Sequence, residues 1–112
     1  MTTLRRGEIR WHTFKPPDKR RPVLLLTRAE TIDVLDPIMV AVITTTVRGI
    51  PTEVRLSVEE GMPAPSAIKL DHVTLVRRSD VGRLITTLDE ERWPEVEQAL
   101  LVACGFRRPP SR

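Results

Sequence analysis

The 112-residue chain has a single cysteine, Cys104, so it cannot form an internal disulfide. Such usage fits a reducing compartment. Cys104 follows the apolar run Leu100-Leu101-Val102-Ala103 and reads as a buried structural thiol. Long hydrophobic runs are also missing. No stretch reaches the roughly 18–20 apolar residues that a membrane span needs. The opening Met-Thr-Thr-Leu-Arg-Arg-Gly-Glu lacks the apolar core of a secretory signal, so a cytoplasmic location is expected. There is no internal repeat and no low-complexity tract. One cysteine and two separated histidines, His12 and His72, form no recognised metal-ligand spacing, so neither metal nor cofactor is expected.

Forty per cent of the residues are apolar and 29% are charged, a balance ordinary for one globular domain. The net charge of +3 favours a polyanionic partner, because Lys and Arg release counterions condensed on phosphates. An acidic protein would be attracted by the same charge.

The apolar pattern changes character once. Up to about residue 86 it reads as short strands; beyond that it reads as a helix. Gly7–Phe14 is a strand with Ile9, Trp11 and Thr13 on one face and Arg10, His12 and Phe14 on the other. Pro16-Pro17-Asp18 forces a loop. Pro22–Arg28 is nearly all apolar, which predicts a strand covered on both faces. Ala29–Asp36 is ambiguous and has room for a helical turn. Ile38–Val47, rich in β-branched residues, is the strongest strand. Thr52–Val58 alternates Val54, Leu56 and Val58 inward against Glu53, Arg55 and Ser57. Gly61–Pro65 is a loop, and Ser66–Val76 and Arg83–Thr86 complete the strands. A helix is expected from Asp89 to Cys104, with Asp89 as N-cap and Gly105 just past its end. Pro94 should delay or kink its first turn. Trp11 and Trp93 could each stack on a base, but Trp11 is expected in or near the core. Trp93 should anchor the helix. Phe106–Arg112 reads as a disordered tail. Short strands followed by one helix define an α+β domain. A strongly bent sheet closing into a small barrel would bury this many apolar strands.

Five stretches then carry a resemblance. They are Arg6-Gly7-Glu8-Ile9, Lys19-Arg20-Arg21-Pro22-Val23-Leu24, Val42-Ile43-Thr44-Thr45-Thr46, Arg48-Gly49-Ile50-Pro51-Thr52-Glu53-Val54, and Ser66-Ala67-Ile68 with Asp71. In this order they resemble the MazF/PemK family of toxins, over about residues 5–105. The resemblance implies a single domain spanning 1–112 with a Src-homology-3-like curved antiparallel β-barrel and a long C-terminal helix. It implies a homodimer, and metal-independent, sequence-specific cleavage of single-stranded RNA. It also implies neutralisation by an acidic antitoxin. The dimer contacts are expected at the end of the Ile38–Val47 strand and on the C-terminal helix.

The resemblance carries a catalytic arginine onto Arg21 and a catalytic Ser/Thr onto Thr44. A guanidinium presents a planar fork to two phosphate oxygens but is a poor proton carrier near neutrality, so Arg21 reads as a transition-state clamp. Thr44 would donate a hydrogen bond to the phosphate or orient the 2′-hydroxyl. A solvated loop arginine and a strand threonine are the plainer readings of the two. His72 stands where the family often has Gln or Asn; it either assists proton transfer or simply faces RNA. His12 reads as a packed or surface histidine. The loop before Arg21 lacks the family's longer Gly-Ser-Glu-Gln segment, which leaves Lys15, Lys19 and Arg20 as phosphate contacts. Thr45, Thr46, Arg48 and Asp71 complete the expected RNA-binding set. Two other readings stay open: a CcdB-like gyrase-binding toxin on the same fold, and a catalytically weak homologue that binds RNA or antitoxin.

Overall fold

The computed structural model describes residues 3–16 and 19–110. Pro17 and Asp18 of the expected loop, and Ser111 and Arg112 of the expected tail, lie outside that range. Six strands form one antiparallel sheet: β1 (Glu8–Thr13), β2 (Arg20–Leu25), β3 (Ile38–Thr44), β4 (Glu53–Leu56), β5 (Ser66–Val76) and β6 (Val81–Thr87), followed by helix α1 (Trp93–Ala103). Their spatial order is β4-β5-β3-β2-β1-β6. The expected closure into a barrel is not met among the described residues, because β4 and β6 remain as two edges. A side-chain bond approaches closure: the Thr86 hydroxyl at the end of β6 donates to the Glu60 carbonyl beyond β4, at 3.0 Å.

The sheet carries apolar residues on both faces. One face gathers Leu24, Ala41, Ile43, Leu56 and Ile68, and α1 covers it with Val96 and Ala99. The other gathers Val23, Leu25, Val40, Val42 and Ile38, closed by Leu4 and Ile32. The near-continuous apolar runs of β2 and β3 have this cause: each strand needs greasy side chains above and below. Ile32 comes from the ambiguous segment, which does hold helical turns, with the Ile32 and Leu35 N–H groups donating to the Arg28 and Thr31 carbonyls at 3.0 and 2.9 Å.

A bulge bends the sheet along β5. Ala41 pairs with Val73 but its neighbour Val42 pairs with Lys69, so Leu70, Asp71 and His72 bow out of the β3 ladder. The Leu70 N–H donates instead to the Thr52 carbonyl, at 2.9 Å.

Pro94 acts as expected. A 3-10 turn over Glu90–Arg92, capped by the Asp89 carboxylate, comes first, and the α-helix begins at Trp93 with the proline in its first turn. Trp93 anchors that start: its ring lies under Gly7, where a Cβ would come within 3.2 Å of it. Gly7 has φ +92, so that position is closed to larger residues by both backbone and space. The helix ends in a Schellman arrangement. The Phe106 N–H reaches the Leu101 carbonyl and the Gly105 N–H the Val102 carbonyl, with Gly105 at φ +80.

Three expectations need correction. Val58 is exposed, because β4 stops at Leu56 and a 3-10 turn starts, held by Glu60 Oε1 accepting from the Ser57 N–H and hydroxyl at 3.0 and 3.1 Å. Cys104 is exposed, because it is the cap residue where the chain leaves the helix, not its last core position. Trp11 is half-buried and walls a cleft instead of filling the core. Residues 106–110, the described part of the tail, are exposed and carry no regular structure.

Candidate active site

The register of the central strands assembles the site. His12 on β1 pairs with Arg21 on β2. Val23 on β2 pairs with Val42 on β3, where that ladder ends, and Arg21 and Thr44 each lie two residues beyond it. Thr44 in turn pairs with Ala67 on β5. The arginine and the threonine therefore emerge at the same end of the sheet, just past the paired parts of β2 and β3.

Both line a cleft of about 370 Å³ at this end of the sheet, where β2 and β3 run out of their buried stretches. Its mouth holds Lys19, Arg20 and Arg21, with Thr44, Thr45 and Thr46 beside them. The Arg20 guanidinium lies over the Trp11 ring, 4.2 Å from its centroid, an arrangement that fixes both side chains. Thr44 is half-buried, and its hydroxyl oxygen accepts from the Thr46 N–H at 3.0 Å. That bond leaves the hydroxyl hydrogen uncommitted. An exposed guanidinium, a second one stacked on an aromatic, an ammonium and a hydroxyl donor converge here. Such a set binds a phosphodiester.

The other clefts have different chemistry. One of about 320 Å³ is rimmed by Glu59, Glu60, Asp89 and Glu91, the wrong sign for a polyanion. Another of about 400 Å³ lies between Met39 and α1 and is mainly apolar.

The structure brings Lys19, Arg20, Arg21, Thr44, Thr45 and Thr46 together, and keeps four other expected residues out of the cleft lining. Lys15 borders a separate depression with His12 and Asp80. Arg48 belongs to a turn whose backbone is stapled by Glu53, which accepts from the Arg48 and Gly49 N–H groups at 2.9 and 3.0 Å. Asp71 is exposed and accepts from the Thr52 hydroxyl, which joins the β5 bulge to that same turn. His72 is exposed in the bulge. Among the described residues, no three His, Cys, Asp or Glu side chains gather as a metal site would require.

Sequence reasoning missed Met62, Pro63 and Ser66 as cleft walls. For Ser66 a signal existed: it is in phase with Ile68 and Leu70, so the strand period turns a polar side chain inward. His12 is the histidine beside Arg21. It is 7% exposed, tilts against Phe14 with ring centroids 4.4 Å apart, and leaves Nδ1 buried without a partner.

Burial pulls the His12 pKa below its ordinary value of 6.5, and the nearby Asp80 carboxylate only partly offsets this. A depressed histidine binds its proton less readily folded than unfolded. Stability from the neutral ring is therefore complete above about pH 6.5 and lost as the pH falls toward the folded pKa. Besides Asp80, the charged groups near it are Arg21 across the ladder and Lys15 and Arg77 around the shared depression. His12→Gln removes the titration, so its melting temperature should fall less than that of the parent between pH 7 and pH 5. Parallel curves for the two proteins would refute the assignment.

Comparison with known proteins follows the same lines. The model of the PemK-like, MazF-like toxins of type II toxin–antitoxin systems matches residues 5–103. Endoribonuclease MazF3 of Mycobacterium tuberculosis is 40% identical over 83 residues, 74% of this chain and 81% of the relative. The solved structure of Mycobacterium tuberculosis toxin MazF-mt6 superposes with a TM-score of 0.82 at 35% identity, covering 89% of this chain and 98% of that one. An endoribonuclease in complex with its cognate antitoxin, from a mycobacterial species, shares the fold with a TM-score of 0.82 at 18% identity, over 96% of this chain and 100% of that one. Fold, cleft and relatives together define a toxin of the endoribonuclease class. Within that class, the chain belongs to the PemK-like, MazF-like toxin family of type II toxin–antitoxin systems.

Proposed function

We propose that the chain is a metal-independent, sequence-specific endoribonuclease that cleaves single-stranded RNA, mRNA in particular, by internal transesterification. The observation that carries this reading is that Arg21 and Thr44 line one cleft together with Lys19 and Arg20. The RNA's own 2′-oxygen attacks the adjacent phosphorus while the bond from phosphorus to the 5′-oxygen breaks. The 2′-hydroxyl proton is lost, the leaving 5′-oxygen gains one, and a 2′,3′-cyclic phosphate and a 5′-hydroxyl result. Arg21 holds the equatorial phosphate oxygens as charge builds on them. Thr44, with its hydroxyl hydrogen uncommitted, donates to the phosphate or orients the 2′-oxygen. Lys19 and Arg20 hold flanking phosphates, with Thr45 and Thr46 alongside. Lys15, Arg48 and Asp71 extend the RNA contacts outside the cleft. His72, exposed on β5, is the histidine open to a bound strand and the candidate for proton transfer.

The same reading includes a homodimer and an acidic antitoxin partner, in a cytoplasmic protein with the family's curved, barrel-like sheet. The net charge of +3 and the mainly apolar cleft between Met39 and α1 support the two interactions. Among the described residues, no helix is long and apolar enough to cross a membrane.

The test is incubation of the purified chain with RNA in EDTA, followed by end analysis. Cyclic phosphate and 5′-hydroxyl ends are expected. Cleavage that stops in EDTA, or intact RNA with inhibition of DNA gyrase, would overturn the reading.

A further inference from the structure

Ser66 is the first residue of β5, paired with Leu56 of β4. It is 3% exposed, and its Oγ is buried with no hydrogen-bond partner. Buried hydroxyls are nearly always paired, so an orphan of this kind calls for an explanation. It also lines the cleft that holds Arg21 and Thr44. Around it the walls are apolar: Trp11, Pro22, Ile43, Met62 and Pro63. The cleft is thus divided by chemistry. Lys19, Arg20 and Arg21 with three threonines make one part of the lining, and apolar side chains with Ser66 make the rest.

A phosphate would go to the cationic part. The apolar part suits a flat, mostly apolar group with polar atoms on its rim. A nucleobase has that character: its faces pack on aromatic and apolar side chains, and its edge carries donors and acceptors. The cleft volume, about 370 Å³, is within the usual range of small-ligand sites. Through one rotatable O–H a serine donates to or accepts from such an edge. A base with no matching atom leaves the hydroxyl orphaned, and a site of this type discriminates by that mismatch.

We propose that Ser66 is a specificity-determining residue: its Oγ hydrogen-bonds the edge of the base that enters the cleft while Arg21 and Thr44 hold a neighbouring phosphate. The proposal rests on the RNA reading above but does not require that the chain cleave.

The test uses the full chain and Ser66→Ala, with Ser66→Thr as the variant that keeps a hydroxyl. Two probes run in parallel. One is an RNA pool randomised at each position, with 5′-hydroxyl ends mapped after cleavage. The other is a set of single-stranded oligonucleotides carrying 2′-deoxy sugars, which bind but cannot react. Ser66→Ala is expected to flatten base preference at one position by roughly threefold to tenfold in both, and Ser66→Thr to retain a preference there. Losing a hydroxyl that has no partner should leave the melting temperature unchanged or higher. An unchanged preference profile in Ser66→Ala would overturn the proposal, as would a parent with no base preference in binding. A lowered melting temperature in Ser66→Ala would likewise overturn it, since the hydroxyl would then be structural. If the parent binds with a Ser66-dependent preference yet never cleaves, the nuclease reading fails and the base contact stands.

Discussion

Arg21→Ala is expected to lower kcat/KM for RNA cleavage by roughly 10³-fold. The magnitude follows from what is removed: a fixed cation aimed at charge that develops only in the transition state. Little else should change. Arg21 is exposed at the start of β2, before the strand enters the core at Val23, so stability should stay within about 0.5 kcal/mol of the parent. Arg21→Lys keeps the charge and loses the planar fork. An intermediate rate is expected from it, because an ammonium cannot grip two oxygens at once. Steady-state rates on one oligoribonucleotide, with melting curves for all three proteins, check the claim. An alanine variant that cleaves at parental rate would remove Arg21 from the site.

The largest stability effect is expected at Leu24. The side chain is fully buried in β2, with Ile9 opposite it on β1 and Ala41 on β3. It belongs to the core that α1 covers with Val96 and Ala99. Leu24→Ala leaves a cavity between sheet and helix, at a cost of about 2–5 kcal/mol. A domain of this size holds roughly 5–15 kcal/mol in total, so the melting temperature should drop by about 10 °C or more. The comparison needs equal protein concentration, because self-association would shift both curves. A drop below about 2 °C would mean that the helix closes over the gap and that this core is looser than its burial implies.

Legibility in the sequence followed a physical line. β5 was readable to the residue, because Pro63 and Pro65 stop any earlier start and the apolar phase then continues to Val76. β2 and β3 were readable as doubly covered, because only a covered strand tolerates leucine and valine in unbroken runs. Pro94 announced the late helix start. What failed depended on neighbours distant in the chain. Val58 continues the alternation of β4, but Glu60 reaches back to Ser57 and turns the backbone first. Cys104 continues the helical run, but Gly105 ends it. Barrel closure depended on whether β4 and β6 would pair, which no local pattern encodes.

The site divides in the same way. Arg21 and Thr44 were reached through resemblance, and the neighbouring ends of β2 and β3 then explain why residues so far apart in sequence line one cleft. Lys19 and Arg20 were legible as charge beside Arg21. The apolar half of the cleft was not. Trp11 looked like core because an aromatic on a strand usually is, and only the guanidinium of Arg20 shows which way it serves. His12 was set aside as a packing residue. It is one, and its place beside Arg21 comes from strand pairing, which composition does not reveal.

The double coverage of β2 and β3 has a mechanical consequence. Val23 and Leu24 are sealed at 0% exposure and Ile43 at 1%, so the backbone positions from which Arg21 and Thr44 project are dictated from inside the protein. A ligand in the cleft meets side chains that can turn about their own bonds. It cannot alter the separation of those two backbone positions without breaching the interior on both sides. Arg21 and Thr44 thus start from a backbone spacing held by the core, and only the rotations of their own side chains remain to adjust.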